Sequence, residues 1–169
     1  KRTWQAVKSA MASAQERLAG TVADNAHWDD AVLQSYGKID PDWMYDTWGV
    51  GSDDINYDTM YLVDAKGDVL TAFQNGEVFD VPADTYFGRA LERTLSELPM
   101  NGENFGVLSS LVETPQGLAV MAAAPILATS DDIRIPTPRP NVLIFSKQLT
   151  PPLLAKMSEQ YIVDALAIA

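Results

Sequence analysis

The sequence predicts an α+β chain, with an antiparallel sheet of about five strands and a long amino-terminal helix packed across one face. Three observations carry this. Between Trp4 and Asp24, Trp4, Val7, Met11, Ala14 and Leu18 recur at spacings of three and four, as one face of a helix requires. From Asn56 the period changes to two: Tyr57, Thr59, Tyr61 and Val63 alternate with Asp58, Met60, Leu62 and Asp64, the mark of a strand. Helices and strands nowhere alternate in the βαβ series that a parallel doubly wound sheet demands.

With 169 residues, 47% of them hydrophobic, the chain is read as one domain over 1–169 with its own core. Residues 1–24 form a signalling or linker helix, 25–160 the core and 161–169 an exit segment. Twelve basic against twenty-three acidic residues give a net charge of −11, which repels phosphate backbones and disfavours nucleic acid, so no nucleic-acid partner is expected. No apolar run reaches the roughly 18 residues of a membrane span, and the first ten residues lack the apolar centre of a signal peptide. The absence of cysteine rules out disulfides and thiolate metal sites. Because it starts on Lys1 without methionine and ends on the apolar Ile162 to Ala169, the chain is expected to be a piece of something longer.

Asp24 to Tyr36, reading DNAHWDDAVLQSY, joins the chain's one histidine and a tryptophan to three acids. Continued as helix, it puts Asp24, Trp28, Ala31 and Val32 on one face. A carboxylate beside a buried indole needs a partner or water, so this face is either a packing site or a binding site. Asp40 and Pro41 then suit the start of a short helix through Trp43 and Trp48, a lid expected to fold back on the long helix.

A tight turn at Asp64 to Asp68 leads the first strand into Val69 to Gln74. Gln74 to Pro82 reads as a loop or a short edge strand bending at Gly76. Ala83 to Leu98 reads as one helix with Ala83, Phe87, Ala90, Leu91, Leu95 and Leu98 inward, stopped by Pro99. After the loop 101–106, a second hairpin pairs Val107 to Glu113 with Leu118 to Leu127 around TPQG. Its second arm puts Ala119, Met121, Ala123 and Pro125 on one face and Leu118, Val120, Ala122 and Ala124 on the other. A proline-containing loop, 128–140, precedes a last strand at Asn141 to Lys147. A short helix from Thr150 to Glu159 follows, and Tyr161 to Ala169 is a strand or the start of an exit helix.

These features, in this order, resemble the fourth class of CHASE-type extracytoplasmic sensing domains. The likeness rests on the helix carrying Trp28, Asp29 and Asp30, the aromatic segment after it, the strand running into Asp64 to Gly67, and the strand Gly117 to Ile126. It covers roughly Gln15 to Glu159. The sequence departs from the family pattern in the proline-rich 131–140 loop. The resemblance implies a PAS-like fold and a periplasmic domain set between two transmembrane helices of a bacterial inner-membrane receptor. The cytoplasmic output in such receptors is a diguanylate cyclase, a cyclic-di-GMP phosphodiesterase or a histidine kinase.

The expected function is therefore ligand sensing, transmitted through the terminal helices. The expected cavity lies between the sheet, the central helix and the tryptophan lid, with Trp28 and Trp48 as walls, Asp29 as the polar group, and Tyr61 and Met121 as floor. Aromatic faces with one carboxylate suit an amine or another small cation. The packing alternatives are Trp28 as a core anchor and Asp29 as a staple from helix to loop. No cofactor and no catalytic residue is expected.

Two other readings stand beside this one. The first is a module for a protein partner or for a homodimer through the amino-terminal helix. The second is a carboxylate- or metal-dependent hydrolase built on Asp29 and Asp30, on Asp53 and Asp54, or on Asp131 and Asp132. Adjacent residues on a helix diverge, however, and the acidic loop 52–58 lacks the glycine and terminal glutamate of an EF-hand, although it or 131–132 could meet a cation. No metal site is expected.

Overall fold

A computed structural model describes residues 2–99 and 106–168. The amino-terminal pattern becomes one helix, α1 (Arg2–Ala26). It ends at His27 and Trp28, where Trp28 takes an extended conformation (φ −161°, ψ 159°) before α2 (Asp29–Ser35) begins. The expected continuous helical face from Asp24 to Val32 is thus broken: Trp28 belongs to the bend. The buried line of α1 also differs from the stripe read through Trp4. Ala6, Ala10, Leu18, Val22 and Ala26 are buried, whereas Trp4 is 62% exposed.

The aromatic segment folds as expected into short helical turns. Asp40 accepts the backbone N–H groups of Asp42 and Trp43, and Pro41 occupies the first turn of α3 (Pro41–Met44), where its missing N–H costs nothing. A π-helical turn (Tyr45–Gly49) and a 3₁₀ turn (Val50–Asp53) follow.

The strands are β1 (Thr59–Val63), β2 (Val69–Gln74), β3 (Glu77–Val78), β4 (Leu108–Thr114), β5 (Gly117–Pro125) and β6 (Val142–Gln148). They make one antiparallel sheet in the order β3-β2-β1-β6-β5-β4. The strand beyond the expected five is β3, the short edge at Gly76. The turn between β1 and β2 closes on Asp64 Oδ1, which accepts the N–H groups of Lys66 and Asp68.

Between β3 and β4 the expected single helix is two, α4 (Ala83–Phe87) and α5 (Arg89–Glu97). Gly88 separates them at φ 61°, ψ −140°, a conformation that a side chain disfavours. The expected loop 101–106 lies outside the described residues save for Gly106. The last helix, α6 (Pro151–Ile168), continues through the exit segment, which is helical rather than a strand; Ala169 lies outside the described residues.

Both faces of the sheet are covered. On one, α1 and the tryptophan segment pack on Met60, Leu62, Phe73, Val120, Ala122, Ala124, Leu143 and Phe145. On the other, α4 and α5 pack on Tyr61, Val63, Ala72, Ala119, Met121, Ala123 and Ile144. The period-two patterns of β1 and β5 account for this split, since neighbouring side chains leave a strand on opposite sides. The small residues of β5 allow close approach by α1, and burying a side chain such as Val22 contributes on the order of 1.5–3 kcal/mol.

α6 packs chiefly on α1. Met11, Ala14 and Leu18 of α1 join Leu153, Leu154 and Met157 of α6 in one cluster with the sheet. The carboxy-terminal end of α1 sits beyond the far end of β5, where His27 bridges Leu127. β6 ends at the other side, with Gln148 opposite Ala119. α6 therefore starts level with the middle of α1 and runs back beside its amino-terminal half.

Candidate functional site

The bend after α1 carries a chain of three indoles. Trp28 donates from Nε1 to the carbonyl of Asn25 at 2.6 Å and stacks on Trp43 at 5.9 Å with 26° between planes. Trp43 meets Trp48 edge-on at 5.2 Å and 86°. Trp48 is fully buried, and its Nε1 has no hydrogen-bond partner among the described residues. The backbone carbonyl of Trp48 accepts the Tyr57 hydroxyl at 2.7 Å. Burial pushes that hydroxyl's pKa up, with a smaller contribution from the charge of Asp54.

Asp29 opens α2 and faces the loop after β5. Its Oδ1 accepts the N–H groups of Thr129 at 2.9 Å and Ser130 at 3.0 Å, with the Thr129 hydroxyl at 3.3 Å. Its Oδ2 accepts the Ser130 hydroxyl. These bonds, led by that of the Ser130 side chain, hold the carboxyl below the usual carboxylate range. They occupy both oxygens, so the geometry is that of a helix-to-loop staple.

Tyr61 and Met121 lie on the opposite face of the sheet. Tyr61 donates to the carbonyl of Val81 at 2.8 Å and sits among Phe79, Tyr86 and Phe87. Met121 belongs to the same buried cluster. The five expected ligand-binding residues are therefore not brought together: the sheet separates Trp28, Asp29 and Trp48 from Tyr61 and Met121. The cavity expected from them corresponds to no single space, because alternation on β1 and β5 does not say which set of side chains faces α1.

Among the recesses of the described residues, two lie on opposite sides of the sheet. One, of about 300 Å³, lies beside the turn after β1 and is lined by Lys66, Asp68, Phe79, Asp80, Pro82 and Asp84 among others. The other, of about 330 Å³, is a cleft between α1 and α6. Leu18, Val120, Leu149, Leu153 and Met157 give it apolar walls, and Arg17, Lys147 and Lys156 bring cations to it. These residues come from two helices, two strands and the link between β6 and α6, far apart in sequence. No local motif marks them; the useful signal was the helical reading of the exit segment, which gives α1 a neighbour.

The acidic pairs do not assemble a metal centre. Among the described residues, no group of three or more histidine or acidic side chains is placed to hold an ion. No described helix is long and apolar enough to cross a membrane.

A comparison with curated proteins gives no match. The model of the CHASE4 domain matches residues 10–168, a span that includes about two thirds of α1, α2, the tryptophan segment, the whole sheet and all of α6. The chain belongs to the CHASE4 domain family, a family of extracellular sensory domains.

Proposed function

We propose that the chain is the periplasmic ligand-sensing input domain of a bacterial transmembrane receptor, and that it signals by a shift of α1 against α6. The output domain in this reading is a diguanylate cyclase, a cyclic-di-GMP phosphodiesterase or a histidine kinase, reached through membrane helices flanking the domain. The observation that carries it is the side-by-side packing of the two terminal helices, with a cleft between them floored by the sheet. A ligand that binds one arrangement of the pair about tenfold more tightly shifts their populations tenfold, roughly 1.4 kcal/mol. The strand order β2-β1-β6-β5-β4 is consistent with the PAS-like layout that the resemblance implies.

The test uses the absence of cysteine from these 169 residues, with any cysteine elsewhere in the receptor first replaced by serine. Ala14→Cys and Met157→Cys, both lining the cleft, are introduced together in the full-length receptor, and output is measured with the pair reduced and oxidised. Cross-linking is expected to lock output at one level. A cross-linked receptor that responds as the reduced one does removes the proposal.

A second reading concerns assembly. The homodimer through the amino-terminal helix rests on Trp4 of α1, which is 62% exposed and whose indole joins a large apolar surface to a polar N–H, as side chains at protein interfaces often do. Light scattering on the parent and on Trp4→Glu tests this: the parent is expected to be dimeric and the variant monomeric.

A further inference from the structure

We propose that the α1–α6 cleft is a binding site for a monoanionic amphiphile, a carboxylate carrying an alkyl chain of medium length. The observation behind it is a charge reversal. In a chain of net charge −11, Arg17 of α1, Lys147 of β6 and Lys156 of α6 converge on one cleft that no acidic side chain lines. Among the described residues none of the three has a salt-bridge partner.

Lys147 is the most informative of them. It follows the buried Phe145 by two positions on β6 and so leaves the sheet on the α1 face, where its strand neighbours are apolar. It is half-buried. A cation drawn into an apolar face without a carboxylate is costly unless something supplies the negative charge. The apolar stem of such a side chain can line the wall while its ammonium reaches the mouth. Arg17 and Lys156 are exposed at that mouth from the two facing helices.

The floor selects the remainder of the ligand. Leu18, Val120, Leu149, Leu153 and Met157 offer an apolar slot whose side chains carry no hydrogen-bond donor to satisfy. At about 330 Å³ the cleft falls at the lower end of small-molecule pockets. A headgroup among three cations and a chain between α1 and α6 would wedge the two helices apart or pin them together. In this way the proposal deepens the sensory reading and rests on it for its consequence, but binding itself does not depend on that reading.

Calorimetric titration of the whole chain with octanoate, below its aggregation concentration, tests the site. One-to-one binding is expected. Shortening to hexanoate should weaken the affinity about fourfold per methylene, acetate should not bind, and octylamine should bind at least tenfold more weakly than octanoate. The double variant Lys147→Gln/Lys156→Gln should lose at least tenfold in octanoate affinity while melting within a few degrees of the parent. Leu153→Glu, which puts an acid in the slot, should abolish binding.

Equal binding of octylamine, an unchanged affinity in the double variant, or no saturable octanoate binding to folded protein would each overturn the proposal. Binding only to vesicles of anionic lipid, with no affinity for free octanoate, would overturn it too by assigning the cations to a bilayer surface. Octanoate binding together with an output indifferent to the α1–α6 cross-link would sink the signalling reading and leave the site standing. A cross-link that locks output, with no octanoate binding, would do the reverse.

Discussion

Asp29 grips Ser130 with both carboxylate oxygens, one taking the backbone N–H at 3.0 Å and the other the hydroxyl. Thr129 adds its own N–H at 2.9 Å. A single side chain at the start of α2 thereby fixes a loop a hundred residues further along the chain. Because the bonds favour the ionised form, the carboxyl is held below its ordinary range, and the sign follows from linkage. Its contribution is fully present above the unfolded pKa and is lost as pH falls through the lower folded pKa. Asp29→Asn is expected to lower the melting temperature at pH 7 and to flatten the loss of stability below about pH 4. Melts from neutral to acid pH check this, and parallel curves for parent and variant would refute it.

The indole chain gives a graded prediction. Trp48 is fully buried at its inner end, so Trp48→Ala should cost about 3–5 kcal/mol. Trp28 is only partly buried and contributes chiefly its stack on Trp43, a geometry worth about 0.5–1.5 kcal/mol beyond burial. Trp28→Ala should therefore be the milder change, by urea midpoints at unchanged slope. Equal losses would mean that the bend, rather than the buried ring, anchors the segment.

Local chemistry made most of the fold legible. The cap at Asp40 and Pro41, the turn at Asp64 to Asp68 and the alternation of Met60 with Tyr61 each express a preference settled within a few residues. The broken helix at Gly88 and the bend at Trp28 were less visible, because tertiary packing decides whether a glycine or a tryptophan interrupts a helical pattern. The candidate site was least legible. Joining Tyr61 and Met121 to Trp28 required knowing which face of the sheet α1 covers, and period-two alternation is symmetric in that respect. The sequence leaves both roles of Asp29 open, because the backbone N–H groups that it accepts belong to a loop a hundred residues away. The cleft of Arg17, Lys147 and Lys156 left no trace in any one segment, since it depends on α6 lying beside α1.

Gly88 permits a clean test of backbone strain. Its φ of 61° and ψ of −140° divide α4 from α5, and a Cβ there would meet nothing within 4 Å. Any loss in Gly88→Ala is thus conformational and not steric. About 1–3 kcal/mol is expected from forcing a side chain into this region, read from urea unfolding. A variant as stable as the parent would show that α4 and α5 can merge into the single helix the sequence pattern suggests.

His27 supplies a titration with one observable group, since it is the chain's one histidine. Its backbone N–H closes α1 by donating to the carbonyl of Ala23 at 3.0 Å, and its side-chain Nε2 is buried without a hydrogen-bond partner among the described residues. Burial lowers its pKa below the ordinary value, and the nearby charge of Asp24 offsets part of this. The folded protein thus resists a proton that the unfolded chain accepts. Stability at this residue is full above about pH 6.5, the unfolded value. It falls as pH drops toward the folded pKa, where the histidine finally charges. The imidazole C–H resonance should titrate with a midpoint below 6.5, and His27→Gln should reduce the fall in melting temperature between about pH 7 and pH 5. This window lies above that of Asp29, so the two variants should act on separate parts of one stability curve. A midpoint at or above the ordinary value would show that Asp24 outweighs burial, and would reverse the sign expected for His27→Gln.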